Sequence, residues 1–279
     1  MKIQIIYQDK DLVIIDKPAG VVVNKAVTVK EETIQSWFEN RLKENAKRIR
    51  SEWEELVPAD FNDKYGTPKE IFSQRNGLVH RLDKDTSGVL LLATNPGSLV
   101  NLLSQFKQRQ IHKKYQCLVH GSPKVDSAQV NVPIGRSKVN RRQFWVDIGG
   151  KKATTLYRVI NTFKKFDWEL LQQKIGEKSF NKIKPNFSSY HQGFSLIECF
   201  PKTGRTHQIR VHMRHIGHPL VADKLYSGRT RPKLDNLWCP RQFLHASWIE
   251  FFHPGLKKKV NIETPLSADL ANALKLLIK

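Results

Sequence analysis

The chain has 279 residues, enough for one large domain or two small ones, and 39% hydrophobic content is that of a folded globular protein. No apolar run approaches the roughly 18 residues a membrane helix needs, and Met1-Lys2-Ile3-Gln4-Ile5-Ile6 lacks signal-peptide architecture, so a cytoplasmic protein with no membrane partner is expected. Lys and Arg number 47 against 26 acids, and the self-repulsion of the resulting +21 points to a nucleic acid as partner.

In chain order, 3–7 and 12–15 read as strands around the turn Asp9-Lys10-Asp11, and Asp16-Lys17-Pro18-Ala19-Gly20 is a second turn before extended 21–23. A helix is predicted over 34–42. The charged stretch 43–75 shows no sustained apolar period and reads as a surface excursion with local helix around 51–56. Residues 88–93 are a buried strand. Asn95 then caps a helix opened by Pro96, with Leu99, Leu102, Leu103 and Phe106 at helical spacing. Strands are predicted at 113–119, with Tyr115, Cys117 and Val119 on one face, and at 153–160 and 194–200. The segment 164–192 reads as an insertion. Thr206 is the expected N-cap of a helix that buries Ile209, His212, Met213 and Ile216 and stops at Gly217. Strands interspersed with helices, without a βαβ rhythm, indicate an α+β fold. Cys117, Cys199 and Cys239 form no C-x-x-C pair, as expected in a reducing compartment.

Two polar clusters stand out. His80-Arg81-Leu82-Asp83-Lys84-Asp85-Thr86-Ser87-Gly88 has the composition of a capped turn before a strand. It also begins like a calcium loop, but the twelfth position is Thr94 where a bidentate Glu is required, and a strand follows at once. The second cluster runs from Thr203 to His215. His212, His215 and His218 are spaced as metal ligands can be, yet Arg205, Arg210 and Arg214 surround them and no acid joins them; His212 is expected to face the core instead. Phosphate-binding loops and a G-x-S-x-G elbow are absent from the sequence. What remains is an acid, Asp83, in a basic protein where a lone carboxylate needs a cationic partner such as Arg210.

At these residues the chain resembles the RluA-like family of RNA pseudouridine synthases. H-R-L-D-K-D-T-S-G at 80–88 looks like that family's catalytic motif, with its aspartate at Asp83. K-K-Y-Q-C-L-V-H-G at 113–121 is similar to the strand with the active-site tyrosine, here Tyr115, and T-G-R-T-H-Q-I-R-V-H at 203–212 puts the family's arginine at Arg210. D-K-P-A-G at 16–20, G-K-K-A-T-T-L-Y at 150–157, G-H-P-L-V-A-D at 217–223, R-Q-F-L-H-A at 241–246 and H-P at 253–254 resemble further blocks, in order. Ala222 stands where a glycine is usual, and the 164–192 insertion is long.

The resemblance implies one catalytic domain over 1–279 with a mixed, mainly antiparallel sheet, flanking helices and a central cleft, and no separate N-terminal RNA-binding module. It implies isomerisation of uridine to pseudouridine in structured rRNA or tRNA by base flipping, without cofactor or metal. Asp83 would attack the ring or the sugar, Arg210 would hold it ionised, and Tyr115 would stack on the uracil. His80, Arg81, Leu82, Lys113, Arg205, His207, Ile209 and Arg214 are the expected RNA and base contacts, with Arg81 filling the vacated stack. A monomer is expected. The alternative is an inactive RNA-binding or ribosome-assembly protein on the same fold.

Overall fold

A computed structural model of the protein describes residues 1–190 and 192–279. His191, inside the 164–192 segment, lies outside the described residues. The chain divides into two compact units, one of Met1–Lys113 with Ala246–Thr264, the other of Lys114–His245 with Pro265–Lys279. The fold is the mixed, mainly antiparallel α+β arrangement expected.

In the first unit, β1 (Gln4–Gln8) and β2 (Leu12–Lys17) form an antiparallel hairpin. Its turn is set by Asp9, whose Oδ1 accepts the N–H groups of Asp11 and Leu12 at 2.8 Å, an aspartate turn of the kind that composition favours. β2 pairs antiparallel with β3 (Ser87–Ala93), whose seven residues are all buried. Helix α1 (Ile34–Glu44) starts from a capping box between Thr33 and Ser36. The excursion expected over 43–75 holds three single helical turns and then α2 (Pro68–Arg75), which the sequence reading missed. Thr67 and Glu70 cap α2 reciprocally and Asn76 ends it at φ 46°; its low amphipathicity hid it, since no residue of α2 is buried. The expected cap of α3 (Pro96–Lys107) is present, Asn95 accepting the Ser98 N–H. Leu12, Ile14, Val89 and Leu91 form a core with Leu99 and Leu102 of α3 and with Ile249 and Phe251. The last two belong to β11 (Leu244–Phe252), which pairs antiparallel with β12 (Lys259–Glu263). Each such buried aliphatic or aromatic side chain is worth about 1.5–3 kcal/mol of burial.

The second unit is built on β4 (His112–His120), β10 (Phe194–Pro201), β8 (Thr154–Phe163) and β5 (Ser127–Asn131), antiparallel neighbours in that order. Cys117 and Cys199, distant in sequence, meet across β4 and β10 as free, fully buried thiols 3.7 Å apart. The Cys117 contact and burial push the Cys199 thiol up, so it is not a reactive thiolate. A separate hairpin joins β6 (Ile134–Arg136) to β7 (Phe144–Val146).

Residues 164–190 are anchored to the core of the second unit. They contribute β9 (Lys165–Phe166), α4 (Trp168–Ile175) and α5 (Glu177–Ile183). Phe166, Leu171, Phe180, Ile183 and Tyr190 are buried in one cluster with Phe194 and Trp238 and with the C-terminal helix α8 (Ala268–Leu274). β9 pairs with β13 (Leu277–Ile278). Asp235, at the end of α7 (Arg231–Asp235), is fully buried and accepts from Tyr190 Oη and the Ala222 N–H at 2.9 Å, with His120 Nε2 at 2.8 Å.

Helix α6 (Gln208–His215) buries Ile209, His212 and Met213 as expected, and Gly217 follows it at φ 88°. Its cap differs from expectation. The N-cap residue is His207, in the left-handed region at φ 54°, and no side chain caps the helix. Thr206 is exposed one residue too early, because the His207 ring is drawn to Tyr226, where Nδ1 lies 2.8 Å from Oη.

Candidate active site

The loop that carries Asp83 is fixed from below by buried polar groups. Lys17, at the end of β2, is completely buried. Its ammonium donates to the carbonyls of Pro18 at 2.8 Å, Val21 at 3.0 Å and Lys84 at 3.1 Å, while Gly20 N–H donates to the same Lys84 carbonyl at 2.9 Å. These carbonyls replace water that a charge in that position loses. The turn at 16–20 is thereby tied to the residue after Asp83. Thr86 N–H closes the loop onto the Asp83 carbonyl at 3.1 Å. Gly88 then enters β3 at φ 114°, and a Cβ there would meet the Ala246 carbonyl oxygen at 2.2 Å, so only glycine fits. The result is a half-buried Asp83 side chain on a rigid backbone, with Leu82 buried and Arg81 exposed beside it.

His80 and Lys113 share another corner of this unit. His80 Nε2 accepts the Leu91 N–H at 3.1 Å, which leaves the proton on Nδ1, and its ring lies 5.1 Å from that of Phe106. Lys113 Nζ sits 5.3 Å from the centroid of the same Phe106 ring. Burial, and secondarily the Lys113 charge, push His80 down to about 3, so it is neutral at physiological pH. Burial lowers Lys113 to about 8. Both residues, expected among the RNA contacts, take part here in a local packing arrangement.

The remaining expected residues lie in the second unit. Tyr115 is half-buried on β4, opposite Cys199 of β10 and packed against the cluster that holds Ile209. Arg210 is buried on α6. Its Nε and Nη2 donate to Asp223 Oδ2 and Oδ1 at 2.7 and 2.9 Å, and its guanidinium lies 5.0 Å from the Tyr226 ring. Asp223 has no exposed surface, and its Oδ1 also accepts the N–H groups of Leu225 and Tyr226. Sequence reasoning missed Asp223 as a partner of Arg210, although it quoted the 217–223 block. Ala222, where glycine is usual, is buried at φ 57°, in the left-handed region that glycine favours.

Around Tyr226 the basic residues cluster. His207 and the Phe144 N–H meet its hydroxyl at 2.8 Å, and Arg214 lies 6.0 Å from its ring. Arg136 lies 5.2 Å from the Phe144 ring. Exposed Arg205 is held by its Nε to the Lys152 carbonyl at 3.1 Å. Gln208 latches the loop before α6 onto β8, accepting from the Arg205 N–H and donating to the Thr154 carbonyl and Thr155 Oγ1. His212 hydrogen-bonds Thr155 Oγ1 at 2.9 Å, and burial lowers it to about 4, a structural histidine as expected. An exposed cationic surface on ordered backbone is suited to phosphates, and the aromatic rings behind it hold the guanidinium groups in place.

Among the described residues, Asp9, Asp11 and His253 have metal-ligand spacing. They are spoken for by cations and donors: Arg50 pairs with Asp11 at 2.7 and 3.0 Å, Asn95 donates to Asp11, and His253 lies 2.9 Å from Asp9. No helix among the described residues is long and apolar enough to cross a membrane.

A family model described as RNA pseudouridylate synthase matches residues 11–215. The chain is 32% identical over 279 residues to an uncharacterized RNA pseudouridine synthase, YlyB, of Bacillus subtilis, covering 100% of this chain and 74% of that one. It is 32% identical to the ribosomal large subunit pseudouridine synthase D of Zymomonas mobilis, over 99% of this chain and 73% of the relative, and 32% identical to that of Pseudomonas aeruginosa, over 99% and 72%. Among solved structures, human RNA pseudouridylate synthase domain containing 4 superposes with a TM-score of 0.64 at 21% identity, covering 99% of this chain and 94% of that one. Human RNA pseudouridylate synthase domain containing 1 gives 0.63 at 21%, covering 96% and 87%. The family model spans most of the chain and these relatives cover nearly all of it, so the chain belongs to the RNA pseudouridylate synthase family.

Proposed function

We propose that this RNA pseudouridine synthase isomerises uridines in large-subunit ribosomal RNA, with Asp83 as its catalytic carboxylate. Relatives that carry the large-subunit name match nearly the whole chain, which favours ribosomal RNA over transfer RNA. The observation that supports the assignment of Asp83 is its placement on a loop tied to the 16–20 turn by Lys17 and packed at Gly88 against the Ala246 backbone. A catalytic group gains from being held in position before the substrate arrives.

The reaction breaks the bond between the sugar C1′ and uracil N1 and forms one between C1′ and C5. N1 gains a proton and the C5 hydrogen leaves to solvent, so atoms and charge balance without a redox partner or cofactor. Asp83 acts as the nucleophile or as the anion that stabilises a cationic sugar. Arg210, kept in place by Asp223, is the proposed active-site arginine. Tyr115 offers its ring to the flipped base and its hydroxyl to the late proton transfer. Arg81, Arg205, His207 and Arg214 meet RNA, and the protein works as a cytoplasmic monomer.

Release of tritium from C5-labelled uridine tests this reading on two transcripts, large-subunit ribosomal RNA and a transfer RNA pool. Release from the ribosomal transcript is expected. Release from transfer RNA alone contradicts the substrate, and release from neither contradicts the function.

A further inference from the structure

Residues 164–190 contain six lysines, Lys164, Lys165, Lys174, Lys178, Lys182 and Lys184, and no arginine. All six are exposed, and so are Lys275 and Lys279 in the C-terminal segment that packs with them. The two groups are neighbours by register: Lys165 pairs with Ile278, and Lys164 N–H donates to the Ile278 carbonyl at 2.9 Å. None of these ammonium groups makes an ion pair or hydrogen bond among the described residues.

The acids of the segment serve other ends. Asp167 caps α4 by accepting the Leu170 N–H at 3.0 Å, and Glu169 and Glu177 sit in the first turns of α4 and α5, where a negative charge suits the helix dipole. The same dipole explains Lys174 and Lys182, each in a last turn. It does not explain Lys164, Lys165, Lys178 or Lys184. Lys178 and Lys182 are four apart on α5, a spacing at which like charges repel. Meanwhile Phe166, Leu171, Phe180 and Ile183 lock the segment to the unit's core, so these charges are displayed on a fixed surface.

The composition also differs from the surface around Tyr226, which presents arginines. Arginine makes forked, directional bonds to phosphate, whereas lysine acts as a point charge with little demand on geometry. We propose that the cap formed by β9, α4, α5, β13 and α8 is a second RNA-binding surface, which holds the phosphates of a duplex segment of the substrate outside the modified loop. This rests on the reading of the protein as an RNA enzyme, and the test separates the two.

The probe is a plain RNA duplex with no loop to modify, bound to the full-length protein across a salt series. The variant replaces Lys174, Lys178, Lys182 and Lys184 with alanine. A control variant replaces exposed Lys2, Lys10, Lys30 and Lys47 of the first unit, which removes the same net charge. The cap variant is expected to bind the duplex at least about tenfold more weakly at low salt, with its log-affinity slope against log salt shallower by about 2–3, since each lost phosphate contact removes roughly one. The control should change affinity by less than about threefold. Equal loss in both variants, or none in the cap variant, overturns the proposal. Tritium release from ribosomal RNA by the unaltered enzyme reports the underlying function independently. A circular dichroism melt matching that of the unaltered protein shows that the cap is still folded.

Discussion

Asp223 accepts both Nε and Nη2 of Arg210, at 2.7 and 2.9 Å, with the carboxylate wholly buried and the guanidinium nearly so. A charge that is held this way has one orientation, because the fork geometry fixes the guanidinium plane. The pair also fixes the turn after it, since Asp223 Oδ1 takes two further backbone N–H groups. Arg210 is therefore positioned by a residue 13 further along the chain.

Asp223→Asn should cost about 3 kcal/mol or more, because it leaves a buried guanidinium without its counter-charge. Urea unfolding measures this. Turnover per folded molecule in single-turnover tritium release should fall at least about a hundredfold, a few kcal/mol of lost preorganisation, with RNA affinity largely kept. Full turnover in the folded fraction would make Asp223 a purely structural residue.

Gly88→Ala should cost at least about 3 kcal/mol, since its Cβ would lie 2.2 Å from the Ala246 carbonyl oxygen and the residue would be held at φ 114°. The displaced segment begins five residues after Asp83, so activity should fall further than the folded fraction does. A thermal melt and tritium release on the same sample separate the two losses.

Lys17→Met should also be destabilising, by about 2–4 kcal/mol, because the Pro18 and Val21 carbonyls would lose their ammonium donor and the Lys84 carbonyl would keep only the Gly20 N–H. Unfolding by urea, followed by intrinsic fluorescence, checks the magnitude. A neutral result would mean that water replaces the ammonium.

His80 gives the fold a pH dependence. Its folded pKa of about 3 lies below the ordinary value of 6.5. Between these values the unfolded chain binds a proton that the folded chain refuses, so stability rises with pH. The contribution is fully present above 6.5 and is lost progressively as pH falls towards 3. His80→Phe should flatten the urea-midpoint curve in that window. Lys113→Met removes the neighbouring charge that depresses His80 and should raise the imidazole pKa, read from its NMR shift.

Much of the fold was legible because it is local. Asn95 and Pro96 announce α3, and the uninterrupted apolar run in β3 announces a strand buried on both faces. Asp83, Tyr115 and Arg210 could be singled out because their motifs are contiguous. Asp223 could not, since its role comes from a tertiary pairing. Lys17 reads as a turn residue, and nothing in D-K-P-A-G says that its ammonium is sealed from water. The β6–β7 hairpin and the two-residue strands β9 and β13 lack alternation and exist through their partners. Thr206 had the chemistry of a cap, but the pull of Tyr226 on His207 decided where α6 begins.

Asp83→Asn, assayed by tritium release from C5-labelled uridine in large-subunit ribosomal RNA, is the most direct measurement. The amide keeps the side chain's shape and lacks its nucleophilic charge, so release should be abolished while the RNA is still bound. Turnover at an appreciable fraction of the unaltered rate would contradict the assignment of Asp83 as the catalytic carboxylate.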